Sequence, residues 1–249
     1  MMMATPMIGM VLSAMPIGDY DKRLVILTKE RGKITAFAKG ARKPSSAFLA
    51  CSQPFSFGEF SLYEGRTSYN LISVNISNYF ETLRNDIEAA YFGIYFCELA
   101  DYFTHENEDG TEILKLLYQS LRALTMESIG KSLVRYIFEL KILVIHGVAP
   151  QVFQCVKCGK EEDYYFFNSK EGGLICKDCR HGEILGKNIR LSSSAIYTMQ
   201  YIITSSIEKL YTFTVSNEVL EELKQCMNSY REYYIDKKMK SLEILEKLF

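Results

Sequence analysis

The stretch KRLVILTKERGKITAFAK, residues 22–39, sets the frame in which the rest of the chain is read. Its two arms, KRLVILT and KITAFAK, are short apolar or alternating runs. Between them KERG puts Gly32 where a tight hairpin needs a positive φ. Outward from this hairpin, MIGMVLS (7–13), PFSFGEFSLY (54–63) and SYNLISVNI (68–76) read as three further strands, separated by Gly, Pro, Asp and Ser signals. The last two are joined by EGR, with Gly65 in the turn. In PFSFGEFSLY the alternation slips phase, from Phe55 and Phe57 to Phe60 and Leu62, which predicts a β-bulge around Gly58.

Five short strands with a bulge suit a compact barrel, of which the OB-fold is the commonest kind with nucleic-acid business. After residue 80 the apolar period becomes helical. Ile87, Ala90, Tyr91, Ile94, Tyr95, Leu99, Tyr102 and Phe103 recur at threes and fours, predicting one buried helix over 81–105. Helices are expected over 111–125, capped by Asp109 or Thr111, and over 131–146, with Ser128 as a cap and Gly147 as the stop. Two more are expected in SSSAIYTMQYI (192–202) and SNEVLEELKQCMNSYREYY (216–234). The fold class is therefore α+β. An N-terminal OB-fold barrel (1–80) precedes an all-helical domain (81–249), into which a cysteine-bearing module (151–190) is inserted.

The chain has 249 residues, 48% of them hydrophobic, enough to fill a real core. No basic segment precedes the apolar N-terminal residues, and no apolar run reaches the roughly 18 residues of a membrane span. VRYIFELKILVIHG is interrupted by Arg135, Glu139 and Lys141. A cytoplasmic protein with no membrane partner is expected. Cys51, Cys97 and Cys226 stand alone, as thiols in a reducing compartment do.

The net charge of -1 hides a segregation. Residues 1–80 carry nine Lys/Arg against five Asp/Glu, residues 81–150 six against eleven, and residues 151–249 fourteen against fourteen. Between 22 and 43 lie Lys22, Arg23, Lys29, Arg31, Lys33, Lys39, Arg42 and Lys43 with one acid, Glu30. These cations sit at strand ends, at the hairpin tip and in the loop GARKPSS. A surface that reads a phosphate backbone needs cations so placed, beside aromatic platforms such as Phe37, Tyr63 and Tyr69. A solvated face would read the same way, and each of the three aromatics could equally be core.

Cys155-x2-Cys158, seventeen residues, then Cys176-x2-Cys179 falls in the spacing range of four-thiolate zinc sites. Each pair sits in a turn, and YYFFN and GGLI between them are strand-like runs that would bring the turns together. Disulfides or free thiols are the alternatives, disfavoured by the cytoplasmic expectation. Four cysteines leave no open coordination position, so the expected metal is one structural zinc acting as a clamp, worth about 10 kcal/mol in zinc peptides. Two motifs mislead. His181-Gly182-Glu183 has the H-x-E form of zinc deaminases but follows both cysteine pairs, so His181 reads as a surface or supporting residue. Gly130-Lys131-Ser132 lacks the earlier glycine of a Walker A loop, since position 125 is Thr.

The succession GMVLSAMPIGDYDKRLVILTKERGKITAFAKGARKPSS (9–46), then QPFSFGEFSLYEGR (53–66), closely resembles the N-terminal domain of the bacterial recombination mediator family RecO. The G-x-V-L start, the R-G-K turn, the A-K-G-A-R-K loop and the Q-P-F strand follow in the family's order, with Asp19 where the family usually has Glu. The likeness continues through a helical half with a four-cysteine zinc module. It implies a protein that is not an enzyme, binds single- and double-stranded DNA, and anneals complementary strands. It further implies work with RecR, in some bacteria also RecF, and with the acidic tail of single-strand-binding protein, docked on the helical half, to load RecA near the nucleoid. Carried onto this chain, Lys39, Arg42 and Lys43, with Arg23, Arg31 and Lys33, would hold the phosphate backbone, and Cys155, Cys158, Cys176 and Cys179 the zinc. A zinc-containing protein-interaction scaffold without DNA contact is the rival reading.

Overall fold

The computed structural model describes residues 4–163, 165–182 and 185–248. Tyr164 of YYFFN and Glu183 of the His181 motif lie outside the described residues. Five strands, β1 (Thr5–Ile17), β2 (Asp21–Thr28), β3 (Gly32–Ala38), β4 (Phe57–Glu64) and β5 (Tyr69–Asn78), close a barrel in the order β1-β2-β3-β5-β4. Neighbours pair antiparallel except β3 and β5, which meet in parallel through Ala36–Tyr69 and Phe37–Asn70. This is an OB-like barrel. β3 alternates strictly, with Ile34, Ala36 and Ala38 buried and Lys33, Thr35 and Phe37 outward. Met7, Val11, Leu24, Ile26, Phe60, Leu62, Tyr69 and Leu71 complete the interior.

The irregularity predicted at Gly58 is present, but its extra residue is on the partner strand. Phe57 faces Asn78 and Gly58 faces Ile76, so Ser77 of β5 is the additional residue. Ile72 of β5 and Leu12 of β1 are extra in the same way. The phase slip in the sequence has a simpler cause. Phe55 precedes β4 in a turn at φ 70, and Phe57 opens the strand on its outer face against the Tyr118 ring, 4.7 Å between centroids. Gly58 is still required, because a Cβ there would collide with the Asn75 carbonyl oxygen.

A short α1 (Phe48–Cys51) lies between β3 and β4. The single helix expected over 81–105 is two, α2 (Glu81–Asn85) and α3 (Ile87–Phe103). Asp86 divides them: its backbone is extended and its carboxylate accepts from the Ala89 amide at 3.0 Å, starting a new helix. α4 (Thr111–Ala123) follows, its N-cap being Gly110, while the Asp109 carboxylate accepts from the Thr111 amide outside the helix ladder. A C-terminal helix that the sequence reading missed, α8 (Lys240–Leu248), returns to α3, where Ser241 donates through its amide and hydroxyl to Glu98. These helices group with the barrel in one compact unit running to Thr125 and resuming at Met239, and Met126–Lys238 forms a second. The strand-to-helix change at residue 80 is thus not where the contacts divide.

The second unit contains α5 (Lys131–Ile145), α6 (Ser193–Thr204) and α7 (Asn217–Tyr234) with a small sheet, β6 (Phe166–Asn168) between β7 (Gly173–Ile175) and β8 (Ile189–Arg190). Gly130, not Ser128, caps α5, and Gly147 at φ 77 ends it. α5 is buried along its length, including Arg135, Glu139 and Lys141. Burying those charges is tolerable because each is engaged. Arg135 Nε donates to Glu139 at 2.8 Å, and Lys141 Nζ donates to the carbonyls of Ile202, Ile203 and Ser205 at 2.7–3.2 Å, closing the C-terminal end of α6. Among the described residues no helix is long and apolar enough to cross a membrane.

Candidate nucleic-acid interface and cysteine centre

The barrel sorts the basic hairpin into two ends. Lys33 near the start of β3 and Lys39 just past its end are six residues apart, about 20 Å at ~3.3 Å per residue. At the far end Arg23, Lys39, Arg42 and Lys43 are all exposed. The loop carrying the last three is tied to the β1–β2 turn. The Arg42 amide donates to the Tyr20 carbonyl at 2.8 Å, Arg42 Nη1 to the Gly18 carbonyl at 3.1 Å, and the Gly40 amide to Asp21 at 2.7 Å. Lys43 Nζ lies 5.2 Å from the centre of the Tyr20 ring. Lys22 is drawn inward, donating to the Ser52 hydroxyl at 2.9 Å, and burial lowers its pKa.

At the tip the geometry differs. Lys33 Nζ donates to the Asp101 carbonyl at 2.6 Å and pairs with its carboxylate at 3.2 Å. Arg31 donates to Asn107 at 3.0 Å and lies 4.0 Å from Glu64. The structure therefore brings Arg23, Lys39, Arg42 and Lys43 together and sets Arg31 and Lys33 apart from them, beside acidic and amide partners.

A row of outward side chains crosses the barrel. Met15 is the register partner of Arg23, Arg23 of Phe37, Phe37 of Asn70, and Asn70 of Tyr63. Phe37 and Tyr63 are half-buried on the outer side of the barrel. Tyr69 is not a platform: at 3% exposure it is part of the barrel core, and burial foremost, then the Glu64 carboxylate, raises its phenol pKa. Strand parity decides this, since Tyr69 and Leu71 share the inward face of β5. Sequence reasoning passed over Met15, 58% exposed, Tyr20, 54% exposed, and Arg66, exposed in the β4–β5 loop. Only the strand register, which a single sequence does not give, identifies the first as a neighbour of Arg23.

In the second unit the four cysteine sulfurs all lie within 4.8 Å of one another. Thiolates around one zinc at ~2.3 Å stand about 3.8 Å apart, and Cys158 and Cys176 are already at 3.7 Å. Cys155 and Cys176 are buried, Cys179 is half-buried and Cys158 is exposed. The Cys176 amide donates to Cys155 Sγ at 3.3 Å and the Cys179 amide to Cys176 Sγ at 3.4 Å. Burial opposes ionisation of Cys155, but amides of Cys176, Cys158 and Lys157 outweigh it and bring the thiol down to about 6. The Cys179 thiol donates toward Cys158 and Cys176, and holding that proton pushes it up to about 12. The amides thus favour the thiolate form of Cys155. Gly159 at φ 73 turns the first pair, and Phe166 and Ile175 pack on the buried cysteines. The donor set is closed, soft and convergent, which is compatible with zinc. His181 is exposed and outside the cluster, and Gly130-Lys131-Ser132 is the start of α5 with no strand leading into it among the described residues.

An OB-like barrel with a basic loop end, joined to a helical part carrying a four-cysteine centre, defines a class of modular OB-barrel proteins. Family models place the chain within it: "Recombination protein O N terminal" matches residues 2–80 and "Recombination protein O C terminal" residues 84–243. Proteins called DNA repair protein RecO are similar along almost their whole length. The one from Alkaliphilus metalliredigens is 34% identical, covering 96% of this chain and 98% of the relative. Those from Acetivibrio thermocellus and Desulforamulus reducens are 29% and 31% identical, covering 96% and 97% of this chain and 95% and 93% of theirs. The chain belongs to the RecO family of bacterial DNA repair proteins.

The split between core and face predicts unequal costs. Tyr69→Ala is expected to lower barrel stability by about 3 kcal/mol or more, and Phe37→Ala by about 1 kcal/mol, in denaturant melts. Equal costs would contradict the assigned parity.

Proposed function

We propose that this RecO-family chain is a recombination mediator that binds single- and double-stranded DNA, anneals complementary strands and helps RecA load. Residues 1–80 act as the nucleic-acid-binding domain, and 81–249 as a helical domain with the 151–190 module. The observation that carries the reading is the joining of Lys39, Arg42 and Lys43 to a face bearing Arg23, Phe37 and Tyr63, in a chain of a DNA repair family. The cations hold backbone phosphates while the aromatic faces stack bases, so sequence preference is slight. Annealing needs no bond chemistry: a basic surface screens the repulsion between two strands and raises their local concentration. The protein is not an enzyme in this account.

Arg31 and Lys33, engaged by Asn107, Glu64 and Asp101, are secondary contacts at most. RecR, in some bacteria also RecF, and the acidic tail of single-strand-binding protein are the protein partners, the tail docking on the helical half. The setting is the cytoplasm, near the nucleoid. Cys155, Cys158, Cys176 and Cys179 hold one structural zinc ion, which supplies a cross-link between two turns and leaves no position for a reacting water.

Charge reversal of both Arg42 and Lys43 to Glu is expected to weaken single-stranded DNA binding at least tenfold at low salt. Its log-log salt slope should become shallower by about 1.4, at ~0.7 per phosphate, with RecR binding unchanged. Unaltered DNA affinity would remove these residues from the interface, and absence of any DNA binding by the parent protein would favour the scaffold reading. Metal analysis is expected to find one zinc per chain, lost in Cys176→Ser together with a lower melting temperature. Well under one zinc, with all four thiols free, would remove the metal.

A further inference from the structure

The hairpin tip holds three of the basic residues that a composition count credits to DNA binding, yet it is already occupied. The loop from Thr104 to Gly110 runs against it, and backbone groups on both sides are mutually satisfied. The Lys33 amide donates to the His105 carbonyl at 3.1 Å, the Asn107 amide to the Arg31 carbonyl at 2.9 Å, and the Gly110 amide to the Lys29 carbonyl at 3.0 Å. Gly32 and Glu106 pair as an isolated antiparallel bridge. The approach is so close that a Cβ on Gly32 would strike the His105 carbonyl oxygen, and one on Gly110 the Thr28 carbonyl oxygen. Two glycines, one on each element, are what let the loop seat there.

The charges match the backbone fit. Asp101 takes Lys33 at 3.2 Å, Glu64 lies 4.0 Å from Arg31, and Asp109 lies in the field of Lys29. Asn107 adds a neutral acceptor for Arg31 at 3.0 Å. Among the described residues, Lys39, Arg42 and Lys43 at the other end have no carboxylate within ion-pair distance.

The geometry points to a built-in counter-charge: the α3–α4 loop with Asp101 and Glu64 occupies the hairpin tip in place of phosphate, leaving Lys29, Arg31 and Lys33 a latent backbone contact and confining DNA to the loop end of the barrel. This rests on the barrel face being the DNA surface. Counter-charging half of the hairpin lowers the number of cations a strand can reach without lowering the number the sequence contains. It also gives the face a direction, basic at the 39–43 loop and acid-opposed at the tip, where Lys29, Arg31 and Lys33 meet Asp109, Glu64 and Asp101.

The test compares salt slopes for a dye-labelled oligo(dT) binding to the parent protein, to Lys33→Ala, to the double variant Asp101→Asn with Glu64→Gln, and to that variant carrying Lys33→Ala. Asn and Gln keep the shapes of the side chains they replace, and melting curves confirm folding. Lys33→Ala alone should leave the slope unchanged. The double variant should bind more tightly, with a slope steeper by about 0.7 to 1.4, one or two further phosphates, and adding Lys33→Ala should take back about 0.7. A double variant that binds like the parent overturns the inference, as does a Lys33→Ala slope already shallower by about 0.7 in the parent background. Should the double variant fail to fold, that last comparison decides alone. No salt-dependent binding by the parent would instead refute the DNA-binding reading.

Discussion

Two residue pairs, Ala36 with Tyr69 and Phe37 with Asn70, close the barrel. They are the parallel pairing in it, and they turn a sheet that would end in two open edges, β3 and β5, into a closed surface. The same pairing divides inside from outside. Ala36 and Tyr69 face the core, while Phe37 and Asn70 face outward and connect Met15 and Arg23 on one side to Tyr63 on the other. The candidate interface is therefore a consequence of closure. Without the β3–β5 contact Phe37 on β3 and Tyr63 on β4 would be separated by β2 and β1.

Charge follows the same logic. The chain is nearly neutral as a whole, and its first 80 residues are basic while the next 70 are acidic. Folding does not keep these apart. The acidic stretch between α3 and α4 lies against the hairpin tip, and Asp101 holds Lys33. Lys39, Arg42 and Lys43, which stay outside any ion pair among the described residues, are at the end where the 39–43 loop meets the β1–β2 turn, whose Asp21 takes the Gly40 amide. Screening acts on exposed charges over about 8–10 Å, so the two ends of a strand about 20 Å long present distinct potentials to a ligand.

Much of this was legible in the sequence. The five strands, the glycine turn at Gly32 and the four-cysteine spacing all read correctly, because each rests on short-range chemistry. What was not legible depended on partners far away in the chain. The phase slip before Gly58 reflects Phe55 lying ahead of β4, and the irregularity that is present comes from extra residues of β5, which faces β4 and is not written in it. Tyr69 and Tyr63 look alike as aromatic strand residues, and only the closed sheet sends one inward. The engagement of Lys33 by Asp101 joins residues 68 apart. The break at Asp86 was readable in principle, as a capping carboxylate three residues before Ala89, but the continuous apolar stripe on either side concealed it. α8 is short, and it is anchored by Glu98, 143 residues before Ser241.

The central claim is that the outward row across β3, β5 and β4, with the 39–43 loop, is where nucleic acid lies. The most direct measurement is ultraviolet cross-linking of the full-length protein to oligo(dT), with the modified peptides identified by mass spectrometry. The account predicts adducts on peptides containing Phe37, Tyr63 or Tyr20, and none on those containing Tyr69. Adducts confined to residues 126–238, at a DNA concentration that saturates the protein, would contradict it.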